Sequence, residues 1–122
     1  MNLQEKTRRT IEIYNLLDKS YAIKTNTIRI NTHNTREHEL AKCLVALELL
    51  YLGKTIITEA IFKNGKRADL ICIEDRLIYE ITHTEKPDGH KEQDYPLPIL
   101  YIKADKILKM EMIKKWKTQM KN

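Results

Sequence analysis

Two carboxylates eleven residues apart, Asp69 and Glu80, carry the strongest chemical signal in the chain. Between them lies LICIEDRLIY, two apolar, strand-forming runs joined at IEDR. If Glu74 and Asp75 form a two-residue hairpin turn, residue 73 faces residue 76 and Asp69 falls opposite Glu80. Opposed residues on one face of a sheet sit roughly 4.5–5.5 Å apart at Cβ. Ile71 and Ile78 are then their neighbours along that face, so the acids border an apolar surface. Like charges so placed destabilise a sheet, and in partly buried surroundings they do not both stay ionised without help. A hard divalent cation, Mg²⁺ or Mn²⁺, suits the pair, because it takes oxygen ligands and keeps several waters. Such an ion activates a water and neutralises charge developing on a phosphate. In any other register both acids would be solvated or paired with Lys and Arg.

Other chemistry is weaker or excluded. Glu59 is either a further ligand on the preceding strand or, more simply, a carboxylate facing solvent or paired with Arg67. His33 and His38 are five residues apart and do not share a helical face, so they make a poor zinc pair. Exposure to water accounts for all four histidines; His83 borders the acidic pair and is the best placed to contact a phosphate. No nucleotide-binding glycine motif occurs, which argues against a nucleotide cofactor. The single serine, Ser20, makes serine-nucleophile chemistry improbable. Cys43 and Cys72 form no disulfide framework or C-x-x-C knuckle and read as reduced thiols of a cytoplasmic protein. No apolar run approaches the length of a membrane span, and the N-terminus lacks the apolar stretch of a secretory signal.

The elements that must position these residues follow from hydrophobic period. With 122 residues the chain makes one domain. Ile13, Leu16 and Leu17 mark a first helix over 8–18, followed by a Thr- and Asn-rich stretch, 20–31, that is an arm or an edge strand. Asn34 or Thr35 caps a second helix, with Glu37 and Glu39 in its first turn and Gly53 as its stop. Strands follow at 55–62, 67–74 and 76–82, with a turn at 64–66. A polar loop spans 83–96, and a fourth strand 97–103. Asp105 caps a last helix to about Met120. The order describes an α/β domain with a mixed sheet and helices on its faces, the middle strands being covered on both sides. Residues 103–122 hold seven lysines against two acids, which is the whole net charge of +5. That basic helix suits a phosphate backbone and equally a hydrated surface helix with Leu108, Met112, Ile113 and Trp116 packed beneath.

This order and these acids resemble the PD-(D/E)XK nuclease superfamily, the restriction-endonuclease-like fold. There a helix bearing a Glu precedes a three-stranded meander, an Asp begins the second strand, an acid-x-Lys follows on the third, and a helix and strand complete the αβββαβ core. The resemblance covers about 34–103, with 1–33 as an added helix and arm and 104–122 as a basic C-terminal helix. It places Glu39 of EHELAK as the helix acid, Asp69 of GKRADL as the strand acid and Glu80 of YEIT as the third. Glu39 is preferred to Glu37 because it is nearer the apolar stripe. The resemblance implies a Mg²⁺- or Mn²⁺-dependent endonuclease acting on DNA, with Glu39, Asp69 and Glu80 as metal ligands. It also implies backbone contacts from lysines and arginines such as Lys66, Arg67, Lys114, Lys115 and Lys117. Small archaeal and viral nucleases share this plan, and many work as homodimers. The chain departs from the pattern at one position: the family's lysine is Thr82. Arg67 and Lys42 are physical replacements, the first across the hairpin from Thr82 and the second one turn beyond Glu39. Other members of the fold have lost activity and bind nucleic acid or protein.

Overall fold

The computed structural model describes residues 1–83 and 93–110. Helix α1 runs Leu3–Leu16 and begins earlier than expected, because the Asn2 side chain accepts from the Glu5 N–H and caps it. The stretch after it is an arm with no strand of its own. Hydrogen bonds to the sheet hold that arm. Thr58 Oγ1 accepts from Arg29 N–H and donates to Thr27 O, and Asn26 Oδ1 accepts from Ile56 N–H. Helix α2, Arg36–Tyr51, is capped by Thr35, whose side chain accepts from His38 N–H at 3.1 Å. Gly53, at φ +80°, ends it in the left-handed region that glycine adopts without strain.

Four strands follow: β1 Ile56–Ile61, β2 Arg67–Cys72, β3 Leu77–Thr82 and β4 Ile99–Lys103. They lie in sequence order; β1, β2 and β3 are antiparallel neighbours and β4 is parallel to β3. Leu70 faces Tyr79, Ile71 faces Ile78 and Cys72 faces Leu77, the register expected from a turn at 74–75. A third helix, α3, is described over 104–110. It starts one residue before Asp105, so Asp105 lies in its first turn and is not its cap. Residues 84–92 of the polar loop and the basic residues Lys114, Lys115 and Lys117 lie outside the described residues. Among the described residues, no helix is long and apolar enough to cross a membrane.

Two apolar layers cover the sheet. Ile13 and Leu17 pack on one face with Ile57, Phe62, Ile71, Ile73 and Ile78. Ala41, Val45, Ala46 and Leu49 of α2 pack on the other with Ile56, Leu70, Cys72, Ile81 and Ala104. Strict alternation would put Ala60 with Ile56 and Ala68 with Leu70, yet both alanines pack in the α1 layer. The phase slips in both strands at one rung, between the pairs Thr58–Leu70 and Ala60–Ala68. Glu59 and Asp69 occupy that rung, and Glu59 sits at φ +52°, a left-handed conformation costly for a residue with a Cβ. Because the slip is shared, the register survives it.

Candidate functional site

The shared slip turns two acids toward α2. Glu59 Oε1 lies 2.8 Å from Lys42 Nζ, and Asp69 Oδ2 lies 3.3 Å from His38 Nε2. Alternation from Ile71 places Asp69 in the α1 layer; the slip at the Glu59–Asp69 rung corrects that expectation. The β2–β3 ladder stops at Leu70–Tyr79. Beyond it the carboxylates take the place of main-chain acceptors: Glu80 Oε1 accepts from Asp69 N–H at 3.0 Å, and Asp69 Oδ2 accepts from Ile81 N–H at 2.9 Å. Each carboxylate thus binds the main chain of the opposite strand, one rung beyond the end of the ladder, and the two acids do not form the side-by-side pair on the Ile71–Ile78 face that the sequence suggested.

Helix α2 supplies the facing wall. Its buried stripe is polar at the start and apolar afterwards: His38, Glu39 and Lys42, then Val45, Ala46 and Leu49. Glu39 is buried and Glu37 exposed, so the nearer of the two acids to the apolar stripe is the one that faces the sheet. Lys42 is completely buried. Its Nζ donates to Glu39, 2.9 Å from Oε1 and 2.7 Å from Oε2, and to Glu59. Glu39 also accepts from Asn31 N–H at 2.6 Å, so the arm is tied to the site. Arg67, half exposed, reaches Glu59 at 3.8 Å from the solvent side. Glu59 therefore pairs with Arg67 as the simpler reading holds, but its principal partner is Lys42.

Electrostatics follow from this wiring. Burial pushes the Lys42 pKa down, but hydrogen bonds and charge from Glu39 and Glu59 outweigh it, so the group stays above the ordinary lysine value. Lys42 is a fixed cation and no proton shuttle at neutral pH. Burial likewise raises Glu39 and Asp69, yet both end below the usual carboxylate range. Lys42 and Asn31 N–H do this for Glu39; His38 and Ile81 N–H do it for Asp69. The His38 ring is shifted upward, chiefly by its hydrogen bond to Asp69. Four acids, Glu39, Glu59, Asp69 and Glu80, thus gather with Lys42, Arg67 and His38.

Other candidates fall at the margin. Thr82 does not face Arg67, since the ladder has ended; it pairs with Lys103 of β4. Lys66 is exposed, 3.8 Å from Asp94. His83 contacts the site's rim, with Nε2 3.2 Å from Thr35 Oγ1 and its ring centroid 6.2 Å from that of His38. Sequence reasoning missed two residues. His38 is only 8% exposed, against the expectation that all the histidines are solvated. The spacing His38, Lys42, Val45, Leu49 is a core-facing helical repeat and carried that signal. Lys103 was passed over because its strand lies beyond the loop, and only the parallel pairing of β4 brings it beside Thr82.

A divalent ion fits part of this arrangement. Mg²⁺ is commonly held by one or two carboxylates with waters retained, and Asp69 and Glu80 supply hard oxygens in one gap. Glu39 does not join them, because Lys42 occupies both its oxygens. Among the described residues, no three of His, Cys, Asp and Glu converge closely enough to enclose an ion. No family model matches the chain, and neither curated protein sequences nor solved structures yield a match.

Proposed function

We propose that this chain is a divalent-metal-dependent nuclease of the PD-(D/E)XK type, hydrolysing DNA phosphodiesters at the open end of the β2–β3 hairpin. The observation that carries the reading is the reciprocal capture at that end. Asp69, half-buried, and Glu80, buried, each accept a main-chain N–H from the opposite strand, near the buried Lys42. Two like charges this close oppose each other, and a divalent cation between them would offset that repulsion. Asp69 and Glu80 would hold Mg²⁺ or Mn²⁺, which when bound supplies an activated water and charge neutralisation at the phosphate.

The chain's own groups do the rest. His38 holds Asp69 from the α2 side and keeps it ionised. Lys42 supplies the buried positive charge that Thr82 lacks, and it fixes Glu39 and Glu59. Arg67, Lys66 and Lys103 offer cations on the solvent side, where a phosphate backbone would be gripped without base reading. The test is Mn²⁺-supported cleavage of supercoiled, linear, branched and single-stranded DNA, with Asp69→Asn as the control. Cleavage lost in that variant supports the enzyme. DNA binding without cleavage on any substrate supports a second reading, a non-catalytic nuclease-fold binding protein. That reading is favoured by Lys42, which already neutralises Glu39 and Glu59.

A further inference from the structure

The acids around Lys42 invite a question separate from the Asp69–Glu80 pair. Glu39 and Glu59 come from different elements, α2 and β1, and converge on one point. That point is occupied by a cation, the Lys42 ammonium, within 2.9 Å of oxygens from both acids. The ammonium is fully buried, and Glu59 adopts a left-handed backbone conformation within β1, where its carboxylate reaches that ammonium. A left-handed residue within a strand is costly, so the convergence is a built feature of the fold. An ammonium and a hydrated divalent ion compete for the same oxygen donors; one is tethered and the other is not.

We propose that the Lys42 ammonium is a built-in replacement for a second metal ion, so that the site takes one divalent cation, at Asp69 and Glu80, and never two. The proposal rests on the metal-dependent reading above and deepens it. Phosphodiester hydrolysis with two ions uses one on each side of the reacting phosphate. Here the second positive charge is covalently attached, and it does not depend on metal concentration. Lys42 then acts as a positioning residue through Glu39 and Glu59. Removal of its side chain to Cβ leaves two carboxylates from two elements facing a vacated space, and side-chain rotation lets both close on a smaller ion.

Mn²⁺ titration of the full chain tests this, read by electron paramagnetic resonance of free Mn²⁺ and by calorimetry. The wild type is expected to bind one ion, Lys42→Ala two, and Lys42→Ala with Glu59→Gln one again. Two ions on the wild type, or one on Lys42→Ala, overturn the proposal and leave the Asp69–Glu80 reading standing. No ion on the wild type overturns both. If Lys42→Ala fails to fold in metal-free buffer, circular dichroism replaces the count. Saturable refolding by Mn²⁺, absent with Na⁺ at equal ionic strength, supports the proposal, and no refolding overturns it.

Discussion

The β2–β3 hairpin buries acid at both of its ends, and the two ends handle it in opposite ways. At the turn, Glu74 is alone. Its carboxylate accepts from Thr55 N–H at 2.7 Å and from Thr55 Oγ1 at 2.8 Å, with Lys6 at 3.8 Å. Arg9 donates to the Glu74 main-chain oxygen. One acid meets enough donors, and the result ties α1 and the start of β1 to the hairpin. At the open end four acids gather around Lys42, His38 and Arg67, and two of the acids take over where the strand ladder ends. Both ends carry a left-handed residue, Arg76 at φ +50° and Glu59 at φ +52°. At the turn this conformation simply closes a loop, with Arg76 N–H donating to Ile73 O. Within β1 it aims a carboxylate.

The largest expected effect separates the ends by activity. Asp69→Asn is predicted to reduce Mn²⁺-dependent cleavage to background while Glu74→Gln retains it. Equal losses in both would erase the distinction. Next comes Lys42→Met, which strands two buried carboxylates and should cost about 3–5 kcal/mol in urea unfolding without metal. A loss below about 1 kcal/mol, the range of a surface pair, would mean that water reaches the pair.

Glu74→Gln should cost less, roughly 1–3 kcal/mol, because the amide keeps an acceptor for Thr55 but loses the charge. Its pH profile sharpens the point. Burial raises the Glu74 pKa, but the Thr55 hydrogen bonds and Lys6 outweigh it and leave the group below its ordinary value. A depressed folded pKa gives stability that is full above the unfolded value, about 4.3. It is lost as pH falls through the lower folded value. Unfolding scans from pH 7 to 3 should therefore show a shallower acid limb in Glu74→Gln than in the wild type. The smallest effect is Arg76→Gly, where relief of the left-handed strain opposes loss of the exposed Glu12 ion pair; a net change within about 1 kcal/mol is expected. Glu59→Gly, at the same backbone angles, should be clearly destabilising, because it removes a partner of the buried ammonium. Similar values for the two glycine variants would show that the Glu59 side chain does nothing its backbone does not.

Much of this was legible in the residues. The hairpin register followed from a two-residue turn between β-branched runs, and it holds as far as the pair Leu70–Tyr79. Glu39 was separable from Glu37 by its distance from the apolar stripe. The direction of Asp69 was not legible, because period-two alternation assumes an unbroken strand and the alternation slips at the Glu59–Asp69 rung. The burial of His38 is legible in its spacing to Lys42 and Val45 and not in its spacing to His33. Glu74 was read as a turn residue, and its burial depends on Thr55, nineteen positions earlier. Contacts of that sequence separation leave no local pattern.

If the open end of the hairpin is the proposed reaction centre, cleavage depends on Asp69 and not on Glu74. The most direct measurement is Mn²⁺-dependent DNA cleavage by the wild type, Asp69→Asn and Glu74→Gln, compared at equal folded concentration. The account predicts product from the wild type and from Glu74→Gln, and none from Asp69→Asn. Undiminished cleavage by Asp69→Asn, or no cleavage by the folded wild type on any DNA form, would contradict it.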